Sequence, residues 1–402
     1  MTQYSSQKIM EMDGIYGAHN YHPLDVVISK AEGAYVWDCE GKKYMDCLSA
    51  YSAVNHGHRH KKIIKALKDQ ADKLTLTSRA FYNDMWPLFA KKLSEFTGKD
   101  MILPMNTGAE AVETAIKTMR RWGYEKKGVQ RDNAEIIVMR GNFHGRTTTI
   151  ISFSVDPVAY NNFGPYTPGF KVVDYDNIEA VEQAITQNTV GILVEPIQGE
   201  AGVVVPEKGY LAKLKDLCEE HNMLLTCDEV QTGFYRTGKK FASYHDNTEP
   251  DIIIMGKALG GGVYPVSAVA ADNSILGVFN PGSHGSTFGG NPLASAVGLA
   301  ALKSFEEDGF AENVPELGEY FMKKLREIKT DKIKKVRGKG LLIAIVLNRT
   351  AGKARKYTAA LKEKGLLAKE THEWIIRFAP ALIITKEEID WAIKQIESVF
   401  KD

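Results

Sequence analysis

Between about residue 100 and residue 305, short apolar runs alternate with stretches of helical spacing. Glu135-Ile-Ile-Val-Met139, Val190-Gly-Ile-Leu-Val194, Leu224-Leu-Thr-Cys227 and Asp251-Ile-Ile-Ile-Met255 lack the in–out alternation of a half-exposed strand. Continuous apolar runs of this length predict strands covered on both faces. Between two of them, Leu211, Leu214, Leu217 and Cys218 recur at helical spacing. The alternation predicts an α/β domain around a mostly parallel sheet, with ligands at the carboxyl ends of its strands.

The two ends of the chain read differently. Gly340-Leu-Leu-Ile-Ala-Ile-Val-Leu347 and Trp374-Ile-Ile-Arg-Phe378 predict strands, and Lys386 to Val399 an amphipathic helix. Near the start, Ala34-Tyr-Val-Trp-Asp-Cys-Glu-Gly-Lys-Lys-Tyr-Met45 predicts a hairpin turning at Glu40-Gly41. The expected organisation is a large domain over residues 46–305, with residues 1–45 and 306–402 joining in a smaller α+β domain. A cleft between the two would take the substrate.

Composition narrows the function classes. The chain has 402 residues, 44% of them hydrophobic, enough for one large core and a smaller one. Lys and Arg number 51 against 50 Asp and Glu, a formal charge of +1, and no charged tail stands out. That balance argues against nucleic acid or a membrane surface as partner. The basic stretch from Arg120 to Arg131 is broken by Glu125 and reads as a solvated helix end and loop. Cys39, Cys47, Cys218 and Cys227 form neither a disulfide framework nor a CxxC site, so reduced thiols are expected. The first residues carry no apolar signal core, and no apolar run approaches the ~20 residues that span a bilayer. A soluble, cytoplasmic protein is the expectation.

Two strand ends carry the candidate chemistry. Lys257 follows the run Asp251–Met255 and precedes a glycine loop, while Asp228 closes the run Leu224–Cys227. An amine and a carboxylate on neighbouring strand ends can hold the two poles of pyridoxal 5′-phosphate: the amine condenses with the aldehyde, and the carboxylate pairs with the protonated pyridine nitrogen. Asn106-Thr107-Gly108-Ala109-Glu110 opens a helix whose face bears Val112, Ala115, Ile116, Met119 and Trp122. Thr107 can cap it, and the amides of Gly108 and Ala109 then point at an anion. Phe143 can stack on one face of the ring, the alternative being a place in the core, and Val230 can pack on the other face. Arg146, three residues after Phe143, can grip a carboxylate. Arg377 lies inside an apolar strand, where a charge either faces water from a sheet edge or has a partner inside the site; Glu200 is the natural partner. An arginine able to switch between an internal glutamate and a substrate carboxylate suits an enzyme with two dissimilar substrates. His56, His58 and His60 invite a metal reading, but no matching ligands lie nearby. A structural or helix-capping role is expected, and no metal.

Together these motifs resemble the class III, fold-type I, pyridoxal-phosphate-dependent aminotransferases over nearly the whole chain. Asp228-Glu-Val-Gln-Thr-Gly233, Gly256-Lys-Ala-Leu259 and His284-Gly-Ser-Thr-Phe-Gly-Gly-Asn-Pro292 mark the class. Asn20-Tyr-His-Pro-Leu24 and Ser49-Ala-Tyr-Ser-Ala-Val-Asn55 favour its ornithine-utilising branch. The resemblance implies that Lys257 is the Schiff-base lysine, Asp228 the partner of the ring nitrogen, and Gln231 the partner of the 3-hydroxyl. It also implies that Gly108 and Ala109 hold the phosphate, with Ser286 and Thr287 reaching it from the other subunit of a homodimer. Tyr21 and Arg146 would hold the amino-acid end of L-ornithine, Tyr51 would line the pocket, and Glu200 would mask Arg377 until 2-oxoglutarate binds. The implied activity is transfer of the δ-amino group of L-ornithine to 2-oxoglutarate. Rival readings are another class III aminotransferase acting on N-acetylornithine or 4-aminobutyrate, an aminomutase, and a non-catalytic scaffold. Two positions depart from relatives: His144, where some of the ornithine branch have tryptophan, and Lys61, where many have proline. Neither is expected to touch a chemical role.

Overall fold

The computed structural model describes residues 4–401. Near the start, β1 (Ile28–Glu32), β2 (Tyr35–Asp38) and β3 (Lys43–Asp46) form an antiparallel meander. The turn between β2 and β3 contains Gly41 at φ +87°, so the hairpin closes where Glu40-Gly41 predicts. The middle of the chain supplies β4 (Met101–Met105), β5 (Glu135–Met139), β6 (Phe170–Val173), β7 (Thr189–Val194), β8 (Leu224–Asp228), β9 (Ile252–Met255) and β10 (Ser267–Ala271). They make one seven-stranded sheet in the order β4-β10-β9-β8-β7-β5-β6. Neighbours from β9 to β6 run parallel, while β10 is antiparallel to both β4 and β9. The predicted α/β domain around a mostly parallel sheet is therefore the one observed.

Strand periodicity explains why those runs are apolar throughout. Successive side chains point to opposite faces. Ile136, Val138, Leu193, Leu224, Ile252 and Ile254 pack on one side with Val112, Ala115, Ile116 and Met119 of α1 (Gly108–Trp122). Ile137, Met139, Ile192, Val194, Leu225 and Cys227 pack on the other with Leu211, Leu214, Leu217 and Cys218 of α2 (Tyr210–Glu220). Each fully buried side chain of this size contributes roughly 1.5–3 kcal/mol, so the sheet is a rigid platform for whatever its strand ends carry.

The last hundred residues add β11 (Ile333–Lys339), β12 (Leu342–Leu347), β13 (Leu366–Leu367), β14 (Lys369–Thr371) and β15 (Ile375–Phe378). β11, β12, β15 and β14 form an antiparallel sheet, accompanied by α3 (Ala354–Glu363) and α4 (Lys386–Lys401). β13 instead joins the N-terminal meander, pairing parallel with β3 through Leu366 and Met45.

Candidate active site

The carboxyl ends of β5, β7, β8 and β9 open into a cavity of about 210 Å³. Asp228 is the last residue of β8, and Lys257 stands two residues beyond β9. Lys257 adopts φ +43°, a left-handed conformation costing roughly 1–2 kcal/mol in a residue with a Cβ. Stored strain of this kind marks functional positions. Burial pushes the Lys257 amine below its ordinary pKa; Glu200 and Asp228 oppose that shift, and Arg377 adds to it. Among the described residues, no group holds this amine in a hydrogen bond or ion pair.

Asp228 is fixed by two donors. Val230 N donates to its Oδ1 at 3.0 Å, and His144 Nδ1 lies 2.6 Å from its Oδ2. His144 is buried, and burial works against its charged form, but the bond to Asp228, helped by Glu195, outweighs it and raises the imidazole pKa. This corrects the expectation that His144 touches no chemical role. Glu195 was also missed. It ends up buried just beyond β7, accepts from Phe143 N at 3.0 Å, and is pushed up to about 7 by burial. The signal that found Asp228, a carboxylate at the end of a buried run, also marks Glu195.

Thr107, just before the cavity-lining Gly108 and Ala109, caps α1 in a reciprocal box. Its Oγ1 accepts from Glu110 N at 3.2 Å, and Glu110 Oε2 accepts from Thr107 N at 2.7 Å. The next amides, of Gly108 and Ala109, have no carbonyl one turn earlier to receive them. Val230 presses so close that a Cβ at Gly108 would stand 3.1 Å from its Cγ1. Phe143, Val230 and Gln231 complete the lining.

A wider vestibule of about 530 Å³ adjoins the cavity and shares Phe143, His144, Gly145 and Glu200 with it. Tyr21, Tyr51, Arg146 and Arg377 line it. Arg377 is fully buried; its Nη1 donates to Glu200 Oε1 at 2.7 Å and to Gly199 O at 3.2 Å. Burial opposes the Glu200 charge, but Arg377 overrides it and holds the carboxyl below its ordinary pKa. The Arg377 guanidinium also lies 5.2 Å from the Tyr51 ring centre. Tyr51 sits in a left-handed turn in which Ser49, Ala50, Tyr51 and Ser52 all have positive φ. Asp46 Oδ1 secures the turn by accepting from Leu48 N and Ser49 N at 2.8 and 2.9 Å. Nothing in the sequence announces that turn. Arg146 is exposed in the vestibule, 5.6 Å from the Phe143 ring centre.

Ser286 and Thr287 line neither space. Ser286 Oγ accepts from Asn106 Nδ2 at 2.8 Å beside the start of α1, and Thr287 faces outward. The three histidines go to separate partners: His56 to Ala301 O, His58 to Asp46 and His60 to Asp308. His60 occupies the position before the helix Lys61–Ala71 but makes no side-chain cap, so its role is structural and not capping.

The family model of class-III aminotransferases matches residues 16–400. The chain belongs to that family. This aminotransferase is 60% identical over 391 residues to the ornithine aminotransferase of Brevibacillus brevis, covering 97% of each chain. It is 57% identical over 397 residues to that of Bacillus subtilis, covering 99% of this chain and 98% of the relative. A solved ornithine aminotransferase from Toxoplasma gondii, with PLP at its active site, superposes with TM-score 0.97 at 44% identity, covering 99% of this chain and 94% of that one. An acetylornithine aminotransferase from Elizabethkingia anophelis gives TM-score 0.90 at 49% identity, covering 99% and 100%. Members of this family work with pyridoxal phosphate, and the residues here fit it. Gln231 Oε1 is buried with no partner among the described residues. Among the described residues the Lys257 amine is unengaged, and the Gly108 and Ala109 amides that begin α1 line the same cavity as Asp228.

Proposed function

We propose that this aminotransferase transfers the δ-amino group of L-ornithine to 2-oxoglutarate, giving glutamate and glutamate 5-semialdehyde, which cyclises to pyrroline-5-carboxylate. The carrying observation is that Lys257, Asp228 and the Glu200–Arg377 pair converge on one connected space. Bound pyridoxal phosphate supplies an aldehyde that condenses with amines and a ring that withdraws electrons. Lys257 would hold the aldehyde, and its amine, when free, would take the proton from the substrate carbon that bears the amino group. Its lowered pKa favours the neutral amine that this step needs. Asp228 would pair with the protonated ring nitrogen, Gln231 would offer its amide oxygen to the 3-hydroxyl, and the Gly108 and Ala109 amides would hold the phosphate. Phe143 and Val230 pack on the ring faces.

Selection between substrates falls to the vestibule. Tyr21 and Arg146 hold the α-amino acid end of ornithine, and Tyr51 lines its path. Glu200 neutralises Arg377 while ornithine is bound and releases it for the distal carboxylate of 2-oxoglutarate. The cofactor is carried mainly by residues 46–305, with residues 1–45 and 306–402 closing the substrate side; the β3–β13 pairing supports this division. Ser286 and Thr287 serve the phosphate of a second copy in a homodimer. A cytoplasmic setting fits the buried thiols of Cys47, Cys218 and Cys227, and no helix among the described residues is long and apolar enough to cross a membrane.

The likeness to the Elizabethkingia anophelis structure keeps N-acetylornithine as a second reading. Steady-state assay of both donors with 2-oxoglutarate separates them. L-ornithine is expected to give the higher kcat/KM, with turnover abolished in Lys257→Ala. Preference for the acetylated donor would replace the first reading with the second.

A further inference from the structure

Tyr21 is carried by an arm, residues 17–25, that has no regular structure and is mostly exposed. Its backbone bonds are local, such as Gly17 N to Asp13 O and Asn20 N to Ala18 O. Among the described residues, the hydrogen bonds reaching the arm from elsewhere come from α3 alone. Arg355 Nη2 donates to Pro23 O at 2.6 Å, Arg355 Nη1 to His22 O at 3.4 Å, and Lys362 Nζ to Asp25 O at 3.2 Å. Arg355 therefore grips the two residues that follow Tyr21.

Arg355 is itself held from the vestibule wall. Its Nη1 donates to Glu370 Oε1 at 2.9 Å, and Glu370 also accepts from Thr358 Oγ1 at 2.8 Å and Lys369 Nζ at 2.9 Å. Burial opposes the Glu370 charge, yet the donors around it, Lys369 foremost, hold its carboxyl down to about 2. The Glu370 carboxylate that faces Arg355 is thus held in its charged form. Glu370 lies on β14, where Lys369 stands opposite Arg377 in the ladder and Thr371 Oγ1 donates to Glu200 O at 2.5 Å. One short strand touches both the arm's anchor and the Glu200–Arg377 pair.

We propose that Arg355, backed by Glu370, is a positioning residue for donor selection: it clamps the arm through the carbonyls of His22 and Pro23 so that Tyr21 stands in the vestibule. This rests on the functional reading above, in which Tyr21 holds the amino-acid end of the donor. Loss of the clamp lets the arm leave the site without altering Lys257 or Asp228, so donor recognition suffers and the chemical step does not.

The test uses the holoenzyme of Arg355→Gln and Arg355→Lys beside wild type. In Arg355→Gln the KM for L-ornithine should rise on the order of tenfold, as loss of charge-assisted bonds predicts, with kcat little changed and a smaller effect on the KM for 2-oxoglutarate. Arg355→Lys, which keeps a donor, should recover part of the loss. Chymotryptic cleavage after Tyr16 and Tyr21 should accelerate in Arg355→Gln, a readout independent of which donor the enzyme prefers. Combining Arg355→Gln with Tyr21→Phe should cost less than the sum of the two, because both act through one contact. An equal rise in both KM values, unchanged KM with unchanged cleavage, or strictly additive losses would each overturn the clamp. A wild type that ignores ornithine, with cleavage still faster in Arg355→Gln than in wild type, would sink the functional reading and leave the clamp standing.

Discussion

Each oxygen of Asp228 has a donor from a different loop, Val230 N on one and His144 Nδ1 on the other. Losing one donor leaves a buried carboxylate oxygen unsatisfied, a loss of about 1–3 kcal/mol. In the proposed mechanism this oxygen belongs to the partner of the ring nitrogen, so we expect His144→Phe to lower kcat roughly tenfold in steady-state assay. His144→Asn, which keeps a donor near the position of Nδ1, should restore much of the wild-type kcat; equal kcat in all three proteins would remove His144 from the mechanism. Glu200→Ala tests a second residue. It strands the buried Arg377 charge, a change that typically costs ~3–5 kcal/mol. Glu200 keeps part of its side chain open to the vestibule, which places the loss at the low end of that range, readable by denaturant unfolding. Ornithine should lose more kcat/KM than 2-oxoglutarate, since an unmasked Arg377 repels the cationic donor and still receives the acid. Lys257, Asp228 and Arg377 were legible in the sequence because each breaks an apolar pattern at a strand end or inside a strand, and Glu200 followed as the partner a buried Arg377 requires. His144 was not, because a histidine between Phe143 and Gly145 in a polar loop breaks no pattern. Its role depends on Asp228, 84 residues away in the chain.

Elements differ in legibility for the same physical reason. β7 and β8 are buried at every residue, so their sequences carry no polar face and read as strands at once. β4 is the edge of its sheet and contains Pro104, which has no amide hydrogen to give a ladder. It pairs only with β10, and the proline that permits an edge position hides the strand from a reading of the pattern. β6, at the opposite edge, is only partly buried and was equally silent. The left-handed turn at Ser49–Ser52 uses residues with no preference for positive φ, so local composition cannot reveal it. The start of α1 was readable because capping chemistry is local. Thr107→Ala breaks the reciprocal box and should lower stability by about 1 kcal/mol, measured as a fall in the denaturation midpoint at unchanged m-value. The same substitution frees the first turn that presents the Gly108 and Ala109 amides, so phosphate retention should also weaken. Equilibrium dialysis of cofactor against the variant checks that second effect.

One chain supplies every proposed site residue to the cavity or its vestibule except Ser286 and Thr287, and the loop that bears them faces outward. Phe288, next to Thr287, is about half exposed, and Phe81, Tyr82 and Leu88 are more so. Exposed apolar side chains of this size are the kind that protein–protein contacts cover. The homodimer reading therefore makes a prediction at the scale of the whole molecule. Lys257→Ala removes the amine from a subunit's own site, whereas Thr287→Asp sets a negative charge against the phosphate of the partner's site. Each variant alone should be inactive or nearly so. In mixed dimers, one of the two sites would combine Lys257 of the second protein with Thr287 of the first and be intact. Co-expression, or refolding of the two together, should thus recover activity that neither shows alone. Were Thr287 to act within its own subunit, both sites of the mixed dimer would remain defective and mixing would restore nothing. Tagging the two subunits differently and assaying the doubly tagged species decides between these outcomes, because only that species can hold a repaired site.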